Sequence, residues 1–386
     1  MKMNRTIYRP SRRSALTLGL GALALATAGL SACTETGSGD KPAGSPTTPG
    51  ATNGRADGMP DEGERHTRTW MAFGATEAIW TADLLEEVQQ NLADTALAIA
   101  AYEPVSMLVR SSEMRLAKDL VGSDVELVEA ELDDLWVRDT GPTFVRREDD
   151  LAGVDFNFNG WGGHQVHDLD ATVARQITDE AGVDRLRTKL VLEGGALEVD
   201  GQGTALITES CVLNDNRNPG WSKQHVEAEL RRVVGVRKVI WLPGIRDMDI
   251  TDGHTDFYAR FSEPGVVVAG LDNDPQSYDY KVTRTHLAIL KEATDVAGKA
   301  VEVVTIPGPD KVRPDFASDD FASGYINFYV CNGAVIAPQF GDRKADSFAK
   351  GTLQDLFPDR DVVQVAIDGI AAGGGGIHCA TQQQPA

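Results

Sequence analysis

From about Met59 onward the chain repeats one order of elements: a helical stretch, a short buried strand, a polar residue beside glycine, and a β-hairpin. One unit runs through a helical stretch at 170–181, a strand at 188–192, Glu193-Gly194-Gly195, and a hairpin turning at Asp200-Gly201-Gln202-Gly203. The next has a helical stretch at 222–234, a strand at 238–242, Asp252-Gly253-His254 and a turn at Glu263-Pro264-Gly265. A third has a helical stretch at 280–297, a strand at 301–306, Ser323-Gly324 and a turn at Asn332-Gly333. An earlier unit reads 76–101, then 105–109, then after an insertion Asp139-Thr140-Gly141-Pro142 with strands at 143–147 and 153–157. A last, truncated unit has a helical stretch at 345–356, a strand at 362–366 and the four glycines 373–376 before Ile377-His378-Cys379. Each turn carries the Gly or Pro chemistry that a tight reversal needs. The polar–glycine signals at Asp139, Glu193, His254, Gly324 and Gly376 recur roughly every sixty residues. A period of that size predicts modules stacked or arranged around an axis, with strand ends that bring the polar residues together. The expectation is a single α/β domain over residues 59–386.

The residues before it read as an address and a spacer. Ser11-Arg12-Arg13-Ser14 precedes an uncharged stretch at 15–30 that is short for a bilayer span but suits a signal peptide. It ends in Leu30-Ser31-Ala32-Cys33, which resembles a bacterial lipobox with Cys33 as the lipidated first residue. Residues 1–32 are therefore expected to be a twin-arginine lipoprotein signal peptide, directing a folded chain out of the cytoplasm. The protein would then be held on the outer face of the cytoplasmic membrane by a lipid anchor; an uncleaved N-terminal anchor is the alternative. Of the 25 residues from 34 to 58, 16 are Gly, Ser, Thr or Pro, which predicts a flexible tether.

Charge narrows the partners. The chain holds 58 acidic against 37 basic residues, formally −21, and loss of residues 1–32 would take this to −26. Such a surface repels phosphate backbones, so nucleic acid is not an expected partner, and a small cation is. Four cysteines in 386 residues are too few for a disulfide scaffold. Nothing in the sequence fixes oligomeric state, and a homo-oligomer stays open.

The chemistry collects at the polar–glycine signals. Cys379 follows the glycine run, where backbone can pass close to a ligand and leave a nucleophile uncovered. His254-Thr255-Asp256 puts an imidazole and a carboxylate two residues apart, on one face of an extended segment. With Glu193 and Asp139 these make a nucleophile, an acid/base and three carboxylates, the parts needed to attack a cationic carbon. Each residue alone reads equally well as structural. Trp136 reads either as a support for the apolar part of a substrate or as a core aromatic.

At these residues the chain resembles the agmatine deiminases and the bacterial-type peptidylarginine deiminases. The resemblance rests on Trp136-Val137-Arg138-Asp139-Thr140-Gly141-Pro142, Asn159-Gly160-Trp161-Gly162-Gly163, Leu192-Glu193-Gly194-Gly195 and Asp252-Gly253-His254-Thr255-Asp256. It continues in Asn214-Asp215-Asn216-Arg217-Asn218-Pro219, Tyr325-Ile326-Asn327-Phe328-Tyr329, Pro338-Gln339-Phe340-Gly341-Asp342 and Ile377-His378-Cys379-Ala380-Thr381-Gln382-Gln383-Gln384-Pro385. It implies the five-bladed α/β propeller (pentein) of guanidine-modifying enzymes. It also implies Cys379 as nucleophile beside His254 and Glu193, with Asp139 and Asp256 holding a guanidinium, and no metal or organic cofactor. Two positions depart from the family pattern: Ile250 where an acid faces the far amine of agmatine, and Gly376 where Asn is common. Both bear on the choice between agmatine and arginine in peptides.

Three other readings compete. A manganese ureohydrolase would use Asp252-x-His254-x-Asp256, but its second acidic cluster is imitated poorly by Asp272-Asn273-Asp274-Pro275. A zinc hydrolase would use His164 and His167, which a polar loop explains as well. A substrate-binding lipoprotein predicts two βαβ lobes rather than repeated hairpin units. Cys211 and Cys331 read as buried thiols, although an oxidising exterior would allow them to pair.

Overall fold

A computed structural model describes residues 58–148, 150–318 and 321–386. The signal-like segment, Cys33 and nearly all of the Gly/Ser/Thr/Pro-rich stretch lie outside the described residues. No helix among the described residues is long and apolar enough to cross a membrane.

Five small sheets share a core topology, an antiparallel pair and then a strand parallel to the second, and the N-terminal one adds a fourth, parallel strand. The N-terminal blade holds β1 (His66–Phe73), β2 (Val105–Val109) and β3 (Glu126–Glu129). The next two are β4 (Thr143–Arg147), β5 (Asp150–Asp155) and β6 (Asp184–Arg187), then β7 (Leu197–Val199), β8 (Thr204–Thr208) and β9 (Lys238–Leu242). They are followed by β10 (Ala259–Glu263), β11 (Val266–Leu271) and β12 (Glu302–Pro307), and by β13 (Tyr329–Cys331), β14 (Ala334–Gln339) and β15 (Asp361–Ala366). Finally β16 (Gln382–Pro385) pairs antiparallel with β1, so the two ends of the chain build one blade together. Trp70 donates its indole N–H to Gln384 at 2.9 Å across that seam. The unit that reads as truncated in sequence is completed in space.

Parallel neighbours need a crossover, and a helix supplies it in every blade. Helix Lys223–Val234 joins β8 to β9 and buries Val226, Leu230, Val233 and Val234, the spacing of one helical face. Ser222 caps its first turn through His225 N–H at 3.3 Å, and Gly235, with φ of 73°, stops it in the left-handed conformation that favours glycine.

Two expected elements differ. The third strand of the second blade is Asp184–Arg187, not 188–192: the ladder pairs it with 152–155, and the chain then runs inward carrying buried Leu190 and Leu192 toward the site. The crossover helix expected over 280–297 is Asp279–Glu292; residues beyond it form a turn around Gly298, bridged between Thr294 and Ala300.

Candidate active site

Each blade sends one or two polar residues from the segment that leads into its first strand. Asp139 precedes β4, Glu193 precedes β7, His254 and Asp256 precede β10, Asn327 precedes β13, and Cys379 precedes β16. The inner strands lie side by side, β16 near β4 and β7 near β10. The ring therefore gathers residues that are far apart in sequence.

The Cys379 thiol is 1% exposed and sits 3.4 Å from Asp256 Oδ2. Asn327 fixes this turn: its Oδ1 accepts from the backbone N–H of His378 at 3.0 Å and of Cys379 at 3.4 Å. Its Nδ2 donates to the Asp256 carbonyl at 3.3 Å and to the Cys379 sulfur at 3.4 Å. Gly376 makes room for that amide, since a Cβ there would lie 2.3 Å from Asn327 Oδ1.

His254 Nε2 stands 3.3 Å from Glu193 Oε2, and its Nδ1 stands 3.8 Å from Asp139 Oδ1. Asp139 accepts from Trp161 Nε1 at 2.9 Å and from Gly195 N–H at 3.1 Å. Gly195 marks the point where three side chains converge: a Cβ there would be 2.6 Å from His254 Nδ1, 3.0 Å from Asp139 Oδ1 and 3.2 Å from Asp256 Oδ2. One feature of Asp256 stands out. Its Oδ2 is shared by Cys379 and His378, whereas its Oδ1 is buried without a hydrogen-bond partner. A buried carboxylate oxygen is normally satisfied, which leaves this one able to accept from a donor outside the chain.

Arg217 organises the far side of the imidazole. Its Nε donates to Glu193 at 2.8 Å and its Nη1 to Asp252 Oδ2 at 2.8 Å, all of it buried. Burial would raise Glu193, but Arg217 and then His254 overcome it and bring the carboxyl down to about 2. Burial likewise opposes charge on His254, yet Asp139, then Cys211 and Glu193, hold the imidazole well above the usual histidine range. For Asp256 too burial is outweighed, chiefly by His378, and its carboxyl lies below the ordinary range. The constellation is an imidazolium beside the ionised carboxylates of Glu193 and Asp256, with the Cys379 sulfur against the latter.

Both Cys379 and His254 line a cavity of about 440 Å³ that continues past Ile250 to a wall holding Asp249, Tyr258 and Asp279. Tyr258 donates to Asp279 at 2.8 Å. Burial first, then Asp279 and Asp249, push its phenol well above the ordinary range, which marks both carboxylates as close by. Trp136 does not line this cavity. Its indole donates to Asp134 at 2.8 Å and its ring lies under the backbone of Gly375, where a Cβ would come within 2.1 Å.

Sequence reasoning singled out Cys379, His254, Glu193, Asp139 and Asp256, and these lie together. It gave no role to Asn327, Arg217, Trp161 or His378, although all four fall inside motifs it quoted. Asp252 faces Arg217 and Asn216 instead of a metal shared with His254 and Asp256. His167 bonds the Gln165 carbonyl at 2.9 Å and packs edge-on to Phe158. Among the described residues the only trio spaced to hold a metal is Glu193, Cys211 and His254, and the Arg217 guanidinium already holds Glu193. Cys211 and Cys331 are buried free thiols.

Comparison with known proteins agrees with this geometry. The Porphyromonas-type peptidyl-arginine deiminase family matches residues 58–385. An agmatine deiminase of Stutzerimonas stutzeri strain A1501 is 40% identical over 359 residues, covering 86% of this chain and 97% of its own. One from Medicago truncatula is 38% identical over 362 residues, covering 85% of this chain and 96% of its own. A solved structure of the Enterococcus faecalis agmatine deiminase superposes with a TM-score of 0.81 at 34% identity, covering 86% of this chain and 96% of its own. The five blades are those of the α/β propeller that such enzymes share, and the chain belongs to the Porphyromonas-type peptidyl-arginine deiminase family.

Proposed function

We propose that the protein hydrolyses agmatine to N-carbamoylputrescine and ammonia through a covalent intermediate on Cys379. The observation that carries this reading is the unpartnered, buried Oδ1 of Asp256 beside the Cys379 sulfur. A planar guanidinium supplies the missing N–H donor, and carboxylates on Asp256 and Asp139 fix its plane for attack. The Cys379 thiol loses its proton to solvent as the cationic substrate enters, and the thiolate adds to the guanidinium carbon. The tetrahedral adduct collapses with loss of ammonia, which takes a proton from the imidazolium of His254, leaving an S-alkylthiouronium. His254, now neutral, takes a proton from water as its oxygen adds to the same carbon. Collapse of the second adduct breaks the C–S bond, releases the ureido product and returns the thiol. Glu193 keeps His254 oriented and charged. The sequence of proton transfers needs no metal or organic cofactor.

The relatives named above support agmatine. So does the lining of the cavity, where Asp249 and Asp279 both act on the Tyr258 hydroxyl and offset the loss of an acid at position 250. Two carboxylates there attract a primary ammonium and repel the α-carboxylate of free arginine. Ile250, 2% exposed, offers an apolar surface to the methylene chain. The test is a panel of agmatine, free arginine and arginyl peptides assayed for ureido product. Agmatine is expected to lead by at least about tenfold in kcat/KM, roughly 1.4 kcal/mol. A lead for arginyl peptides would assign the protein to peptide citrullination, and ammonia release from none of them would leave a binding protein. The N-terminal residues support export and a lipid anchor at Cys33, which membrane fractionation of wild type and Cys33→Ala tests.

A further inference from the structure

Glu62, in the segment that leads from the tether into β1, is a carboxylate on which four blades meet. Its Oε1 accepts the Val330 backbone N–H at 2.9 Å and faces Arg260 Nη2 at 2.9 Å. Its Oε2 accepts from Arg138 Nη2 at 3.1 Å and from His378 Nε2 at 2.9 Å. The opposite nitrogen of the same ring, His378 Nδ1, is 2.8 Å from Asp256 Oδ2, the oxygen that also receives the Cys379 thiol. His378 is thus clamped between two carboxylates, one from the N-terminal segment and one from the substrate pocket. Both are held below the ordinary carboxyl range: burial opposes this in each, and it is overcome at Glu62 by Arg260 and His378 and at Asp256 by His378. An ionised carboxylate only accepts, and a neutral imidazole donates from one nitrogen only. Both bonds exist together when each ring nitrogen carries a proton.

We propose that His378 is a positioning residue for the reaction: protonated on both nitrogens between Glu62 and Asp256, it fixes Asp256 for the guanidinium and offsets the carboxylate charge around the Cys379 sulfur. The charged groups around it fit that role. Asp256, Glu62 and Glu198 are the acids facing the ring, while Arg138 and Arg260 are paired with Glu62, and Arg260 and His254 also act on Asp256. Arg138 also donates to the His378 carbonyl at 3.2 Å. The ring thus stands on the same short turn as the sulfur, His378–Ala380. The role rests on the reading of Cys379 as nucleophile and Asp256 as guanidinium acceptor.

The experiment has two parts. In His378→Asn the amide keeps a donor near the position of Nδ1 but carries no charge and does not reach Glu62. The pH of half-maximal inactivation by iodoacetamide is expected to rise by about one unit, because loss of a neighbouring cation disfavours the thiolate. The value of kcat/KM for agmatine is expected to fall about 100-fold. An alkylation profile that does not move would overturn the proposal, as would wild-type turnover. The second part uses the wild-type protein and does not depend on the variant folding: ¹⁵N NMR of labelled histidine reads both ring nitrogens of His378. A proton on each ring nitrogen, each shared with its carboxylate, is expected, and a ring with one bare nitrogen would overturn the role. Full turnover in Cys379→Ser would instead strike the underlying reading, so the two failures are separable.

Discussion

Gly195 has no side chain because His254, Asp139 and Asp256 share the space one would need. Gly195→Ala places a methyl 2.6 Å from His254 Nδ1, so the imidazole must move. Such a shift is expected to lower kcat/KM about 100-fold while leaving the unfolding midpoint nearly unchanged, measured by steady-state kinetics and thermal denaturation. Charge at the same point sets the pH dependence. His254 lies well above the usual histidine range, so it is protonated at neutral pH and loses its proton only under alkaline conditions. Glu193, at about 2, stays ionised throughout. The profile of kcat/KM is therefore expected to pass through pH 6.5 without a histidine step and to fall on the alkaline side, where the general acid is lost. A step near 6.5 that disappears in His254→Asn would contradict this.

Elements carry these residues to one point, and their supports are buried ion pairs. Arg217, from the loop before helix Lys223–Val234, is bonded to both Glu193 and Asp252. Arg217→Met leaves both carboxylates buried without their cation, and urea unfolding is expected to show a loss of about 3–5 kcal/mol. The hairpins and crossover helices were legible in the sequence because local chemistry decides them: Asn332-Gly333 and Glu263-Pro264-Gly265 reverse the chain wherever they sit. Strand β16 was not, since Gln-Gln-Gln-Pro carries no strand pattern and pairs only because β1 waits beside it. Residues 188–192 look like a strand by apolarity, yet their burial comes from the route to Glu193 rather than from a ladder. Cys379, His254 and the acids Asp139, Glu193 and Asp256 stood out near glycines at strand ends. Glu62, Asn327, Arg217 and His378 did not, because each has its meaning only through partners from other blades.

At the scale of the whole molecule, charge and ring geometry act together. The acidic chain surrounds a cavity whose walls hold Asp249, Asp272, Asp274, Asp279 and Asp310. A dication is drawn toward such a field, and salt screens it over a distance of about 10 Å at 0.1 M. The value of kcat/KM for agmatine is expected to fall several-fold between about 20 and 300 mM NaCl, whereas inactivation by neutral iodoacetamide is expected to change little. In the proposed reaction the C-terminal turn, drawn into the ring when β16 closes the blade, presents Cys379 as the attacking atom. Acid quenching during agmatine turnover, followed by peptide mass spectrometry, tests it most directly. The account predicts an adduct of agmatine less ammonia on the peptide containing Cys379, absent in Cys379→Ser together with activity; an unmodified Cys379, with turnover preserved in that variant, would contradict it.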